Sequence, residues 1–356
     1  MDKILTSLYP AMFFAFIFSG LKLTRNGVSD EYMSLEQSKI IQAIFCVFVM
    51  FHHLAIWTID NDHICSGLMH FFHDKGFIFT SFFFFFSGYG LLISLHERQN
   101  YLDGFLLRRL SRTLIPFWIT NTIGIVLRLI VNPKCYDVKH LLMDLFGFTL
   151  VNPNAWFFVE ISIIYIAFFM IFYNIENEDV AIFVMCLFII CMIVISMFLS
   201  CIIPYNVHYL FVGMWWHDST VLFIFGILYA RFKKQVTTFL QKYYLQLLFT
   251  SIACSIFFWL TLNCMLPVRI DTSDVGTHFM MALLTCIFTV TMVLLINMKI
   301  TFGNRILVYL SKIVPELLLI HGYFISIVSN SRMEDYMRYG LVIIASIVTS
   351  VILNQL

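Results

Sequence analysis

Long apolar segments separated by short polar ones dominate this sequence. Hydrophobic runs of about 18–22 residues are long enough to cross a bilayer as helices. Eleven such runs occur, near 4–22, 40–59, 77–95, 114–131, 156–173, 180–203, 219–232, 244–266, 277–298, 306–329 and 339–354. The pattern predicts an all-α, polytopic transmembrane bundle with about 10–11 membrane-spanning helices. Segment 140–151 is too short to span and is predicted to be an interfacial or re-entrant helix.

The composition agrees with this class. Hydrophobic residues make up 60% of the 356 residues and charged residues 12%, whereas soluble domains carry roughly 25% charged residues. We therefore expect one integral-membrane domain over 1–356 that contacts membrane lipid. The net charge of +1 gives no basic surface for nucleic acid. The nine cysteines show no CxxC spacing, so we expect neither a zinc site nor a disulfide framework, although Cys65 and Cys135 could pair.

The distribution of lysine and arginine predicts how the helices are oriented across the membrane. With the 23–39 loop inside, the inner segments hold thirteen of these residues and the outer segments seven. Cytoplasmic loops carry the excess of such charges, so the bias favours an outside N-terminus and an inside C-terminus. The first run has no clear cleavage site and is interpreted as a retained helix.

Two adjacent histidines, His52 and His53, lie deep in the second run. Ionisable residues within a membrane are expensive and mark function by default. Eleven residues make about three full helical turns, so Gln42 lies under His53, and Cys46 falls near the same line. His53 therefore belongs to a polar stripe, while His52 shares its line with apolar residues. Buried, hydrogen-bonded core histidines remain the alternative.

Basic side chains cluster after the third run. The segment from Phe86 to Gly90 includes Ser87 and Tyr89, and it is followed by Arg108, Arg109 and Arg112. Arginine pairs bidentately with phosphate, so three guanidiniums at the inner face suit a nucleotide diphosphate. Topology anchoring or binding of anionic lipid is the alternative.

A late helix carries Glu316 and His321 within an apolar run. Five residues place them about 140° apart on a helix, so they need not face each other. Interhelical hydrogen bonding is the alternative role.

Aromatic and polar residues share an outer loop that contains Trp215, Trp216 and His217. Such rings suit stacking on sugar faces, although tryptophans also form the interfacial belt of membrane proteins. His63, His70 and His73 in another outer loop have generic spacing, and we expect no metal there.

Taken in order, these pieces resemble the acyltransferase-3 family of polytopic membrane acyltransferases. The pieces are the helix ending in His53, the Phe-Phe-Ser-Gly-Tyr helix, Arg109 and Arg112 before Pro116, and the helix with Glu316 and His321. The similarity covers about Ser38 to the C-terminus. The helix at 4–22 looks like the extra leading helix of members that modify surface polysaccharides. The family usually has a basic residue where Gln42 stands.

The resemblance implies a membrane O-acyltransferase that moves an acyl group, most often acetyl, from cytosolic acyl-CoA to a hydroxyl of an extracytoplasmic or lipid-linked glycan. The enzyme would be a multi-pass protein of the cell membrane, typically the bacterial cytoplasmic membrane, and would act at the cell surface without a bound cofactor.

The site residues are then assigned by role. His53 is the expected catalytic residue, with His52 as the alternative. Arg108, Arg109, Arg112 and Tyr89 would bind acyl-CoA. Gln42, Ser87, Glu316 and His321 would support the site, and Trp215, Trp216 and His217 would bind the acceptor. A histidine could act as general base or carry the acyl group as nucleophile.

A transporter, flippase or polymerase of lipid-linked sugars is the competing function. Such a protein does not need the histidine helix together with the inner-face arginines. A structural or sensory membrane protein is a third possibility and would tolerate loss of His53.

Overall fold

The computed structural model describes residues 2–25, 27–29, 31–60, 67–131, 137–203, 209–265, 275–329, 331 and 333–355. Fourteen α-helices and two short strands occur in this part of the chain. In chain order they are α1 (Asp2–Phe18), β1 (Lys22–Leu23), α2 (Leu35–Asp60), α3 (Gly76–Glu97), α4 (Phe105–Val131), α5 (Val138–Leu145), α6 (Trp156–Asn174), α7 (Glu178–Ile202), α8 (Leu222–Arg231), α9 (Lys233–Lys242), α10 (Tyr244–Met265), α11 (Val275–Lys299), β2 (Ile300–Thr301), α12 (Arg305–Leu310), α13 (Val314–Val328) and α14 (Asp335–Gln355).

The predicted all-α class is confirmed. Eight helices of the described chain are long and apolar enough to cross a membrane, and three shorter apolar helices accompany them, at Leu5–Phe18, Leu222–Arg231 and Val314–Val328. Each of the eleven predicted runs overlaps one of these apolar helices. The segment predicted at 140–151 begins as the eight-residue helix α5, which Asp137 caps through the backbone N–H of His140.

The sequence predicts one continuous helix for the tenth run, but the structure divides this run into two helices. The chain forms α12, turns at residues 311–313, and starts α13 anew. Pro315 stands in the first turn of α13, where its missing N–H leaves no helical hydrogen bond unmade. The break gives α13 its own beginning, from which Glu316 and His321 are placed.

The chain divides into two compact units. Unit 1 comprises residues 1–80 and 296–356, and unit 2 comprises residues 81–295. In unit 1, α13 packs against α2 and α14, α1 packs against α14, and α12 packs against α2. Strands β1 and β2 pair antiparallel, with Lys22 opposite Thr301. The second helix and the last helices therefore meet in one unit although the sequence separates them widely.

Unit 2 is built around α6, which packs against α4 and α7. Helices α3 and α8 approach each other so closely that side chains at two glycines would not fit. A Cβ at Gly88 would collide with the carbonyl of Phe223, and a Cβ at Gly226 would collide with the carbonyl of Phe85. Small residues at helix contacts allow such close backbone approach in membrane proteins. The glycine of the Phe-Phe-Ser-Gly-Tyr segment thus has a packing role.

Candidate active site

His53 and His321 form a direct imidazole pair inside unit 1. His53 Nδ1 lies 2.6 Å from His321 Nε2, and the two rings are nearly parallel at 7° with centroids 4.9 Å apart. His321 is 1% exposed, whereas His53 is half-buried. The contact between α2 and α13 brings together two residues that the sequence separates by 268 positions.

The backbone of α13 sets the tautomers of this pair. His321 Nδ1 lies 2.8 Å from the carbonyl oxygen of Leu317, and a carbonyl can only accept. In neutral imidazole one nitrogen donates and the other accepts, so Nδ1 of His321 carries the proton and Nε2 accepts. His53 Nδ1 must then donate to His321. The remaining nitrogen of His53, Nε2, is left with its lone pair.

The polar stripe predicted on α2 points towards α13. Cys46 Sγ lies 3.8 Å from the carbonyl oxygen of Val314, about two helical turns before His53 on α2. Gln42 lies further down α2 and is half-buried. Cys46 and His53, two members of the stripe, therefore both contact α13.

His52 has a different environment. Its Nδ1 lies 3.0 Å from the carbonyl oxygen of Phe72, and a Cβ at Gly76 would collide with its Nε2. Phe48 on the same side of α2 packs on Phe72 and Phe79, with ring centroids 5.2 and 5.4 Å apart. Both ring nitrogens of His52 thus face the protein, so its environment suits packing and support.

Glu316 does not meet His321. Its Oε1 accepts a hydrogen bond from Asn354 Nδ2 on α14 at 3.1 Å, and Oε2 is buried without a hydrogen-bond partner among the described residues. The carboxyl is 7% exposed. Nothing in the sequence pointed to Asn354 as its partner.

The three arginines of unit 2 are engaged to different degrees. Arg108 donates to the backbone carbonyls of Asp103 at 2.5 Å and Tyr101 at 2.6 Å. Arg109 donates to the Tyr101 hydroxyl at 2.6 Å and lies 5.7 Å from the ring centre of Tyr165. Arg112 is exposed.

Tyr101 therefore holds two of the arginines in place, through its carbonyl and its hydroxyl. The sequence analysis missed this role of Tyr101, although its position in the turn just before α4, eight residues from Arg109, could have indicated it. Arg112 is left as the guanidinium best able to take an external anion.

Tyr89 and Ser87 also lie in unit 2. The Tyr89 ring packs on Tyr229 with centroids 5.9 Å apart, and Lys233 Nζ lies 5.6 Å from the ring centre. Ser87 Oγ lies 3.5 Å from the hydroxyl of Tyr165. Tyr165 therefore connects the neighbourhoods of Ser87 and Arg109.

The outer-loop residues of unit 2 are largely interior. Trp216 is 1% exposed and His217 is fully buried, whereas Trp215 is partly open. His217 Nδ1 lies 3.0 Å from Ser196 Oγ. Burial lowers the pKa of the His217 imidazole, an effect that the nearby Asp218 carboxylate opposes. Of the three predicted acceptor contacts, only Trp215 offers a partly open ring.

Two possibilities from the sequence analysis involve residues outside the described ranges. These are the histidine loop, through His63, and the pairing of Cys65 with Cys135. His70 and His73 stack with centroids 6.1 Å apart. In the described ranges, no three histidine, cysteine or acidic side chains are grouped to hold a metal ion.

The chain matches a model of a known protein family. A family model described as an acyltransferase domain, of the type called acyltransferase-3, matches residues 37–355. No curated protein and no solved structure matches the chain. The matched range contains the histidine pair, the arginines and the glutamate described above.

Proposed function

The chain belongs to the acyltransferase-3 family, and from this premise we propose that it is a membrane O-acyltransferase. It transfers an acyl group, acetyl in the simplest case, from cytosolic acyl-CoA to a hydroxyl of an extracytoplasmic or lipid-linked glycan. The enzyme works in the cytoplasmic membrane, typically of a bacterium, and its product is displayed at the cell surface.

The observation that carries the proposal is the fixed tautomer of His53. The carbonyl of Leu317 orients His321, and His321 accepts the Nδ1 proton of His53. Nε2 of His53 is thus a basic nitrogen whose orientation is set by a buried neighbour. A base that is oriented by a third group is the arrangement used for general-base and nucleophilic catalysis.

In the proposed reaction His53 is the general base. Nε2 takes the proton of the acceptor hydroxyl while that oxygen attacks the thioester carbonyl of acyl-CoA. The carbon–sulfur bond then breaks, and the CoA thiolate receives the proton from His53. An ester and free CoA are the products. His321 stabilises the transient imidazolium because its lone pair accepts from the Nδ1–H of His53.

The other predicted residues take supporting roles in this proposal. Arg112 contacts a phosphate of the donor. Tyr101 and Tyr165 hold the neighbouring Arg109 in place. Trp215 offers a ring face to the glycan acceptor. Glu316 and Asn354 join α13 to α14 and hold the helix that carries His321.

The test is mass spectrometry of the surface glycan from cells that carry wild-type protein, His53→Ala or His52→Ala. Loss of a general base costs about 10²–10⁴-fold in rate, so His53→Ala should lower acylation to about 1% of the wild-type rate or less. His52→Ala should reduce it less, because His52 contacts only the protein. Immunoblots of the membrane fraction and detergent melting curves control for expression and folding.

Three results would contradict or change the proposal. Well-folded His53→Ala protein with normal acylation would remove His53 from the reaction. A surface glycan that loses whole sugar units, and not acyl groups, on deletion of the gene would favour the transporter or polymerase function. Release of one equivalent of CoA without acceptor would replace the general base by an acyl-histidine intermediate.

A further inference from the structure

A cleft of about 410 Å³ opens in unit 1 away from the histidine pair. Its walls come from β1, the start of α2 and the segment from β2 through α12. Pockets of roughly 300–1,000 Å³ are typical of small-molecule sites. The chemically distinctive lining residues are Lys22, Arg305, Lys312, Glu31, Glu36 and Tyr309.

Three cations of the cleft form no ion pair with another described residue. Lys22, Arg305 and Lys312 are all exposed. Within the described ranges none of the three makes an ion pair, although two carboxylates line the same cleft. The excess of cations over carboxylates favours an anionic ligand, and phosphate is the anion that such side chains bind best.

The floor of the cleft is held rigidly. Gln37, which is 2% exposed, donates to the Phe302 carbonyl at 2.7 Å and accepts from the Phe302 N–H at 2.9 Å. Asn304 accepts from the Leu307 N–H at 2.9 Å and donates to the Phe16 carbonyl at 2.5 Å. A preorganised site loses less conformational entropy when a ligand binds, so these bonds favour a binding role.

Gly303 leaves room between these two anchors. It lines the cleft, and a Cβ built on it would meet no atom within 4 Å. A larger side chain can therefore be introduced at this wall of the cleft without a clash at its Cβ.

We propose that this cleft binds a nucleoside phosphate. Its phosphates contact Lys22, Arg305 and Lys312, its hydroxyl or amino groups donate to Glu31 and Glu36, and its base packs beside Tyr309. A ligand with only phosphates would leave the two carboxylates facing an anion, whereas a nucleotide supplies donors for them.

The site uses residues of unit 1 alone and is independent of the arginines assigned to the acyl-CoA donor. A phospholipid headgroup shares the phosphate and the amine but lacks the base, and the experiment separates the two sources.

The test uses the full-length protein in phosphatidylcholine nanodiscs, with adenosine 3′,5′-bisphosphate as the probe in isothermal titration calorimetry. Wild-type protein should bind the probe. The triple variant Lys22→Ala/Arg305→Ala/Lys312→Ala should bind at least about 100-fold more weakly. Gly303→Phe, which keeps every charge, should lose binding because the ring fills the cleft. Lys39→Ala, an exposed cation of α2 outside the cleft, should bind like wild type.

Several results would overturn the proposal. These are absence of binding to wild-type protein, equal loss in Lys39→Ala, and unchanged binding in both cleft variants. If the probe binds more weakly when the protein is placed in phosphatidylethanolamine nanodiscs, the cleft is assigned to a lipid headgroup instead. Melting curves identify a misfolded triple variant, in which case Gly303→Phe and the single variant Arg305→Ala decide. The titration needs no acyl transfer, so binding of the probe without transfer would contradict only the proposed function.

Discussion

The pairing of His53 with His321 can be tested by two substitutions, each of which places a polar atom at only one of the two ring-nitrogen positions of His321. In His321→Gln the amide oxygen can take the place of Nε2 and still accept from His53 Nδ1–H. In His321→Asn the shorter amide reaches only the Nδ1 position, near the Leu317 carbonyl that His321 now contacts at 2.8 Å. The two variants therefore separate the bond to His53 from the bond to the backbone.

The size of the effect follows from burial. His321 is 1% exposed, and the bond between the two rings is 2.6 Å long. A buried donor that loses its partner costs about 1–3 kcal/mol, and each 1.36 kcal/mol is a factor of ten in rate. His321→Asn should thus slow acyl transfer about 5–150-fold, and His321→Gln less than about tenfold. His321 acts through His53, so it is a positioning residue.

The assay is the initial rate of glycan acylation after induction, normalised to protein in the membrane, for single and double variants. If His321 acts only through His53, then adding His321→Asn to His53→Ala should cause no further loss, because residues that act as a unit are not additive. The pH profile should also shift in His321→Asn and return towards wild type in His321→Gln. Additive losses, or equal rates in the Asn and Gln variants with unchanged melting, would refute the reasoning.

Further predictions concern unit 2 and the topology. Arg112→Ala should raise the KM for acyl-CoA about 10–150-fold with an unchanged melting temperature, since one charged contact contributes about 1.5–3 kcal/mol. Arg109→Ala should also lower the melting temperature, because Arg109 donates a hydrogen bond to Tyr101. Equal melting temperatures in the two variants would contradict this difference. Gly88→Ala should destabilise the protein by about 1–3 kcal/mol through overpacking, while Gly90→Ala, whose Cβ meets no atom within 4 Å, should not, as measured by thermal unfolding in detergent. A cysteine at Arg98 in a cysteine-free background should react with an impermeant reagent only after permeabilisation, and labelling in intact cells would reverse the topology.

The sequence by itself determined the class and the helices of this protein. Apolar runs of bilayer length have few stable alternatives to helices, because backbone groups in lipid must bond within their own segment. Periodicity also placed Cys46 and His53 on one line of α2 and His52 on another, since the helical repeat is fixed by local geometry. The order of the motifs was enough to indicate the acyltransferase-3 family.

Only the tertiary structure decided which residues meet. Periodicity along one helix says nothing about which other helix faces it, so the pairing of His53 with His321, the tautomer set by Leu317 and the bond between Glu316 and Asn354 could not be read from the sequence. These contacts join residues of α2, α13 and α14. They depend on how helices pack across the unit, and packing is chosen by the shapes of all the surfaces together.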